Sequence, residues 1–115
     1  MVTGLGLVTP VGIGVDLFWR ALLAGTSGGG PVTLFDATAD FPSRIACEVK
    51  DFDPSGILDA KEIRRYDRFA QFALVAAEEA MAHAGLLSGL PEAVPPERFG
   101  VVVASGIGGM ATFEE

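Results

Sequence analysis

Four places in this chain hold residues whose type and spacing suit chemistry. The first is Gly106-Ile107-Gly108-Gly109-Met110-Ala111, one residue past the apolar run 99–104. It fits G-x-G-x-x-[G/A], where glycines let backbone amides approach a pyrophosphate at a helix start. The same residues also serve a tight strand-to-helix turn with no ligand, which is the commoner use of such a match. The acidic residue expected about 20 positions further on would fall past the last residue, Glu115. Both readings stand at this level. No Gly-Lys-Ser/Thr follows, which excludes a Walker phosphate loop. The second place is Lys61, Arg64, Arg65 and Arg68, four of the eight basic residues. On a continuous helix these spacings share one face. Such a face attracts an acidic partner by steering and charge pairing. It is equally consistent with a solvated face that uses Glu62 and Asp67 as local partners.

Cys47 and His83 are the other two places. Cys47 reads as mid-strand, with no helix N-terminus or histidine beside it to lower its pKa. A small buried hydrophobe is the simpler reading. His83 falls near the end of a helix, where the dipole favours a cation, and reads as a surface residue. They do not form a Cys-His pair by spacing, and one cysteine with one histidine makes no metal-ligand cluster.

Periodicity gives the helices and strands that carry these residues. Val2-Thr3 reads as the tail of a strand. Residues 15–24 form a helix in which Phe18, Trp19, Leu22 and Leu23 recur at helical spacing, with Gly25 as its stop and Trp19 as core. Residues 26–31 are a glycine loop, and residues 44–50 alternate as a strand. Asp53-Pro54 starts a turn. Asp59 followed by Glu62 resembles a capping box. It opens one long helix running to about Ala84, closed by Gly85. Phe69, Phe72, Ala73, Ala76, Ala77, Ala80 and Ala84 fall on one stripe of that helix. Five of those seven are alanine, so another element can approach closely. Residues 88–96 form a surface loop. Residues 99–104 are apolar on both faces and read as a central strand of a parallel sheet covered by helices. The fold class is therefore α/β.

Composition narrows the function. The 115 residues make one domain's worth of chain. Half of them are apolar, and the mean hydropathy is +0.42. This is a high share for so small a volume. A net charge of −7 argues against general nucleic-acid binding. No apolar stretch approaches the roughly 20 residues of a membrane span. Met1-Val2-Thr3-Gly4 lacks the basic start of a signal peptide. A single cysteine fits a reducing cytoplasm.

Seven blocks in order carry a resemblance. They are Val2-Thr3-Gly4-Leu5-Gly6, Thr9-Pro10-Val11-Gly12, Phe18 to Gly28, Phe35-Asp36, Val49-Lys50-Asp51-Phe52-Asp53, Asp67-Arg68-Phe69-Ala70-Gln71 and Ser105-Gly106-Ile107-Gly108-Gly109. Together they resemble the N-terminal part of a β-ketoacyl-acyl carrier protein synthase of type II. The resemblance covers residues 1–115, as part of that family's N-terminal domain. It implies a thiolase-like, layered α/β fold, of which this chain holds an incomplete sheet with packed helices, and a homodimer at full length.

The resemblance also implies an acyltransferase of fatty-acid elongation that needs no cofactor. An acyl group moves from acyl carrier protein to a cysteine. Malonyl-carrier protein then loses carbon dioxide, and the carbanion attacks the thioester while two histidines stabilise the developing charge. That cysteine and both histidines lie downstream of the Ser-Gly-Ile-Gly-Gly block. No catalytic residue is therefore expected here, and the chain alone is expected to be inactive. Ile107, with Gly106 and Gly108 beside it, matches the wall of the acyl pocket. Lys61, Arg64, Arg65 and Arg68 match a carrier-protein docking patch, chiefly through the first three. A dinucleotide-binding module at residues 106–111 and a non-catalytic carrier-docking domain are the alternatives.

Overall fold

The computed structural model describes residues 1–37 and 41–110. The chain forms two units: Val8–Phe52, and Met1–Leu7 together with Asp53–Glu115.

In the first unit, β1 (Val8–Thr9) pairs antiparallel with β2 (Gly12–Ile13). The turn between them is fastened by Thr9, whose Oγ1 donates to the Gly12 carbonyl at 2.7 Å and accepts from the Val11 N–H at 3.3 Å. Helix α1 spans Val15–Leu23. It ends as the sequence predicts: Gly25 takes φ +67, its N–H donates to Leu22, and Thr26 N–H donates to Ala21. These two bonds make a Schellman closure, which a residue without Cβ enters at least cost. β3 (Gly30–Pro31) pairs antiparallel with β4 (Ile45–Ala46). The strand expected over 44–50 thus shrinks to two residues, and part of the expected glycine loop becomes its partner. Glu48, just past β4, ties the ladder shut: its carboxylate accepts from Thr33 N–H at 2.8 Å, Thr33 Oγ1 at 2.6 Å and Leu34 N–H at 3.1 Å.

In the second unit, Asp53-Pro54 makes the expected turn. Asp53 Oδ1 accepts from Ser55 N–H at 2.9 Å, and Pro54 O accepts from Ile57 and Leu58. The predicted long helix is two helices, α2 (Ala60–Arg65) and α3 (Arg68–His83). Tyr66 (φ −94°, ψ 132°) and Asp67 (φ −59°, ψ 153°) are extended and form an elbow. Helical periodicity runs through this elbow uninterrupted, and neither Gly nor Pro marks it. Asp67, a residue type favoured at N-caps, is the one local signal. α3 ends on Gly85 (φ +72) with a second Schellman pair, Gly85 N–H to Ala82 and Leu86 N–H to Met81.

The alanine stripe of α3 does receive another element. Residues 1–7 run against it, with Leu5 N–H on His83 Nδ1 at 3.2 Å and Leu7 N–H on Glu79 Oε2 at 2.8 Å. Two extended residues rise about 6.6 Å and four helical residues about 6.0 Å, so the chain keeps step with the helix. The approach is close enough to need glycine. A Cβ on Gly4 would stand 2.9 Å from Ala84 Cβ, and one on Gly6 would stand 2.7 Å from Ala80 N.

Burial is shallow. Among the described residues only Pro54 and Leu58 are buried. The accessible surface is 8951 Å². A closed domain of 12.0 kDa exposes about 6,000 Å², and two separately closed units of these sizes about 7,200 Å². Three expectations are corrected accordingly. Trp19 is 58% exposed rather than core, and Cys47 is exposed rather than buried. The strand expected over 99–104 does not form, and Val102 is 95% exposed. The observed ladders are antiparallel, which short turns or loops can close. A parallel sheet needs crossover partners, and none is placed beside 101–105 among the described residues.

Candidate functional site

The basic cluster is built on α2. Asp59 caps the helix by accepting from Lys61 N–H at 2.7 Å and Glu62 N–H at 2.8 Å, while Asp59 N–H donates to Glu62 Oε2 at 2.9 Å. This is the capping box expected from the sequence. It also commits the Glu62 carboxylate, one of the two expected local partners of the basic residues, to a backbone amide. Lys61, Arg64 and Arg65 are exposed on one face. Among the described residues none of the three forms an ion pair. Arg64 and Arg65 occupy the last turn, where the helix dipole favours cations. Arg68 does not share their helix. It opens α3 across the elbow, with its guanidinium 5.0 Å from the Phe72 ring centroid, a cation–π distance. The structure therefore gathers three of the four residues on one helix and separates the fourth.

The elbow has a fastening that the sequence did not reveal. Gln71 Nε2 donates to the Ile63 carbonyl at 2.9 Å and to the Tyr66 carbonyl at 2.7 Å. In a continuous helix those carbonyls would accept from Asp67 and Ala70. Ala70 N–H instead donates to Asp67 O at 2.9 Å.

The glycine turn packs on the start of α3. A Cβ on Gly108 would lie 2.6 Å from Phe69 Cζ, and one on Gly109 would lie 2.6 Å from Asp67 Oδ2. Gly109 also holds φ +67, which favours glycine, and a side chain at Gly108 would have to displace the Phe69 ring. Gly106 has open space around its Cα, and Ile107 is 78% exposed. Ala111, the last residue of the glycine pattern, lies outside the described residues. Beside the turn, Tyr66, Phe69, Phe72, Ala73, Val103 and Ser105 line an open apolar groove of about 530 Å³. Ile107 does not line it. Helical and strand patterns cannot announce such a groove, because it forms where α3 meets a non-adjacent segment.

His83 is exposed, as expected, but it is not free. Its Nδ1 accepts from Leu5 N–H at 3.2 Å. Among the described residues, no group of three or more His, Cys, Asp or Glu could hold a metal ion. No helix among them is long and apolar enough to cross a membrane.

Residues 1–115 match the protein family described as "Beta-ketoacyl synthase, N-terminal domain", and the chain belongs to that family. Its structure is part of a thiolase-like ketosynthase domain, mixed α/β with small incomplete sheets. The chain is 50% identical over 115 residues to a 3-oxoacyl-[acyl-carrier-protein] synthase 2 of Coxiella burnetii, covering 100% of this chain and 27% of that protein. It is 42% identical to the protein of the same name in Synechocystis, again over 100% of this chain and 27% of the relative. Among solved structures, the ishigamide ketosynthase/chain length factor matches with TM-score 0.66 and 38% identity, over 76% of this chain and 21% of that one. The chain thus spans about a quarter of the length of the curated relatives it matches.

Proposed function

We propose that this chain is the N-terminal part of a 3-oxoacyl-acyl carrier protein synthase of type II. That enzyme would be an acyltransferase condensing malonyl-carrier protein with an acyl-enzyme in fatty-acid elongation, cytoplasmic and homodimeric. The single observation that carries the reading is 50% identity across the whole chain to a protein of that name. The excess exposed surface supports it, since Trp19, Leu23 and Val101–Val103 are faces that the remainder of such a domain would cover. Within the reading, Lys61, Arg64 and Arg65 dock acyl carrier protein, which is acidic, by charge complementarity, with Arg68 beside them. Gly106, Ile107 and Gly108 wall the acyl site, where an apolar side chain between glycines shapes a tunnel without adding polarity.

The chain holds one cysteine, Cys47, and one histidine, His83. Neither stands where this family's resemblance puts its nucleophile or its oxyanion-stabilising pair, so the nucleophile comes from outside these residues. The test mixes acyl- and malonyl-carrier protein with the complete protein and, separately, with residues 1–115. Condensation product is expected from the first and none from the second. Product from residues 1–115 alone, or none from the complete protein, overturns the reading.

A further inference from the structure

We infer that Gln71 is the positioning residue of the basic helix, setting the direction in which Lys61, Arg64 and Arg65 face a docking partner. This rests on the docking reading above.

Helix α2 has six residues, well below the ~12–15 at which a helix holds itself in water. Its charges make matters worse. Lys61 stands three and four residues from Arg64 and Arg65, and like charges at those spacings repel along a helix. A short, self-repelling helix keeps a fixed direction only if both ends are anchored. The capping box of Asp59 and Glu62 anchors the N-terminal end. At the other end the chain turns out of helical geometry, so the carbonyls that would continue the ladder need other donors. Gln71, from the second turn of α3, supplies both N–H groups of its amide to Ile63 O and Tyr66 O. Only this orientation of the amide fits, because the side-chain oxygen would face two carbonyls.

The residue type is specific to the task. Glutamate has no N–H to give, and lysine would add a fourth positive charge beside the patch. Asparagine is one methylene shorter. Gln71 is also half-buried, so its bonds are sheltered from competing water. Without it α2 swings on the Tyr66-Asp67 elbow, and the docking-competent direction becomes one of several. Apparent affinity then falls by the fraction of time that direction is populated.

The experiment uses the complete protein, with Gln71→Met, Gln71→Asn and a Lys61→Glu/Arg64→Glu/Arg65→Glu variant. Binding of fluorescently labelled acyl carrier protein is read by anisotropy. Turnover is compared between a carrier-borne acyl substrate and the same acyl group on a carrier-free pantetheine thioester. Each Gln71 variant should weaken carrier binding about three- to ten-fold. The ratio of carrier-borne to carrier-free kcat/KM should drop by the same factor. The charge reversal should weaken binding further. If the charge reversal weakens binding but both Gln71 variants bind as the parent does, the positioning role is overturned and docking survives. Unchanged affinity after charge reversal overturns docking itself, and the inference falls with it. If carrier-borne and carrier-free turnover fall together, or neither Gln71 variant folds, Gln71 is a general fold residue and the inference is overturned.

Discussion

The Leu7 amide donates to the Glu79 carboxylate at 2.8 Å, joining the start of the chain to α3 across 72 residues. One turn away, Gly6 lies so close to α3 that a Cβ would run into the Ala76 carbonyl. Two substitutions separate the hydrogen bond from the close approach. Glu79→Ala strips the acceptor from a half-buried amide and should cost about 1–3 kcal/mol. Gly6→Val forces residues 1–7 off the helix and should cost about as much or more, by overpacking. Urea unfolding of the complete protein measures both. Parent-like midpoints would mean that residues 1–7 do not pack on α3.

Asp59→Ala removes the acceptor for two amides at the start of α2. A lost N-cap costs about 1 kcal/mol, and in so short a helix the effect should appear as fraying. Amide hydrogen exchange at Ile63 and Arg64 is expected to quicken while exchange in the middle of α3 does not change. Equal acceleration in both helices would show that they unfold as one unit.

The Glu48 carboxyl titrates below its ordinary value of 4.5. The hydroxyl of Thr33 is the largest cause, followed by Thr33 N–H, with Leu34 N–H and the charge of Lys50 adding to it. A depressed folded-state pKa contributes stability that is present above the ordinary value and lost as pH falls through the folded-state value. The β3–β4 ladder should therefore loosen in acid. Thr33→Val deletes the hydroxyl and keeps the amide, so the Glu48 pKa should rise toward 4.5 without fully reaching it. Carbon-detected NMR titration of the Glu48 carboxyl reads this directly, and an unmoved pKa would remove Thr33 from the account.

Ile107 stands 78% exposed on the glycine turn. If it walls the acyl site, Ile107→Trp fills space meant for chain methylenes. In the complete protein kcat/KM for long acyl groups should fall at least about 10- to 200-fold relative to short ones, the range that one methylene sets in an apolar pocket. A uniform fall across chain lengths would speak for turn distortion, and no change would take Ile107 out of the pocket wall.

Local chemistry was legible from residue types. The Asp59/Glu62 capping box, the Asp53-Pro54 turn and the Gly25 and Gly85 helix closures each involve partners within five residues. Their signals therefore sit together in the chain. The alanine stripe announced that something would lie close on α3, but not that Gly4 and Gly6 would be the visitors. Family membership was legible because seven short blocks occur in order, which no single block could establish. The elbow was not legible. Tyr66 and Asp67 interrupt a run whose helical period never falters, and the interruption is stabilised by a side chain five residues beyond Tyr66.

What the linear order of residues settled was the capping box, the Asp53-Pro54 turn and the Gly25 and Gly85 closures, together with the charge and apolar content of the chain. Only the tertiary structure decided that Arg68 parts from Lys61, Arg64 and Arg65, that His83 accepts an amide from Leu5, and that Trp19, Cys47 and Val101–Val103 face outward. Periodicity reports which face of an element is apolar. Whether that face is covered depends on what packs against it, and that is a property of the assembled chain.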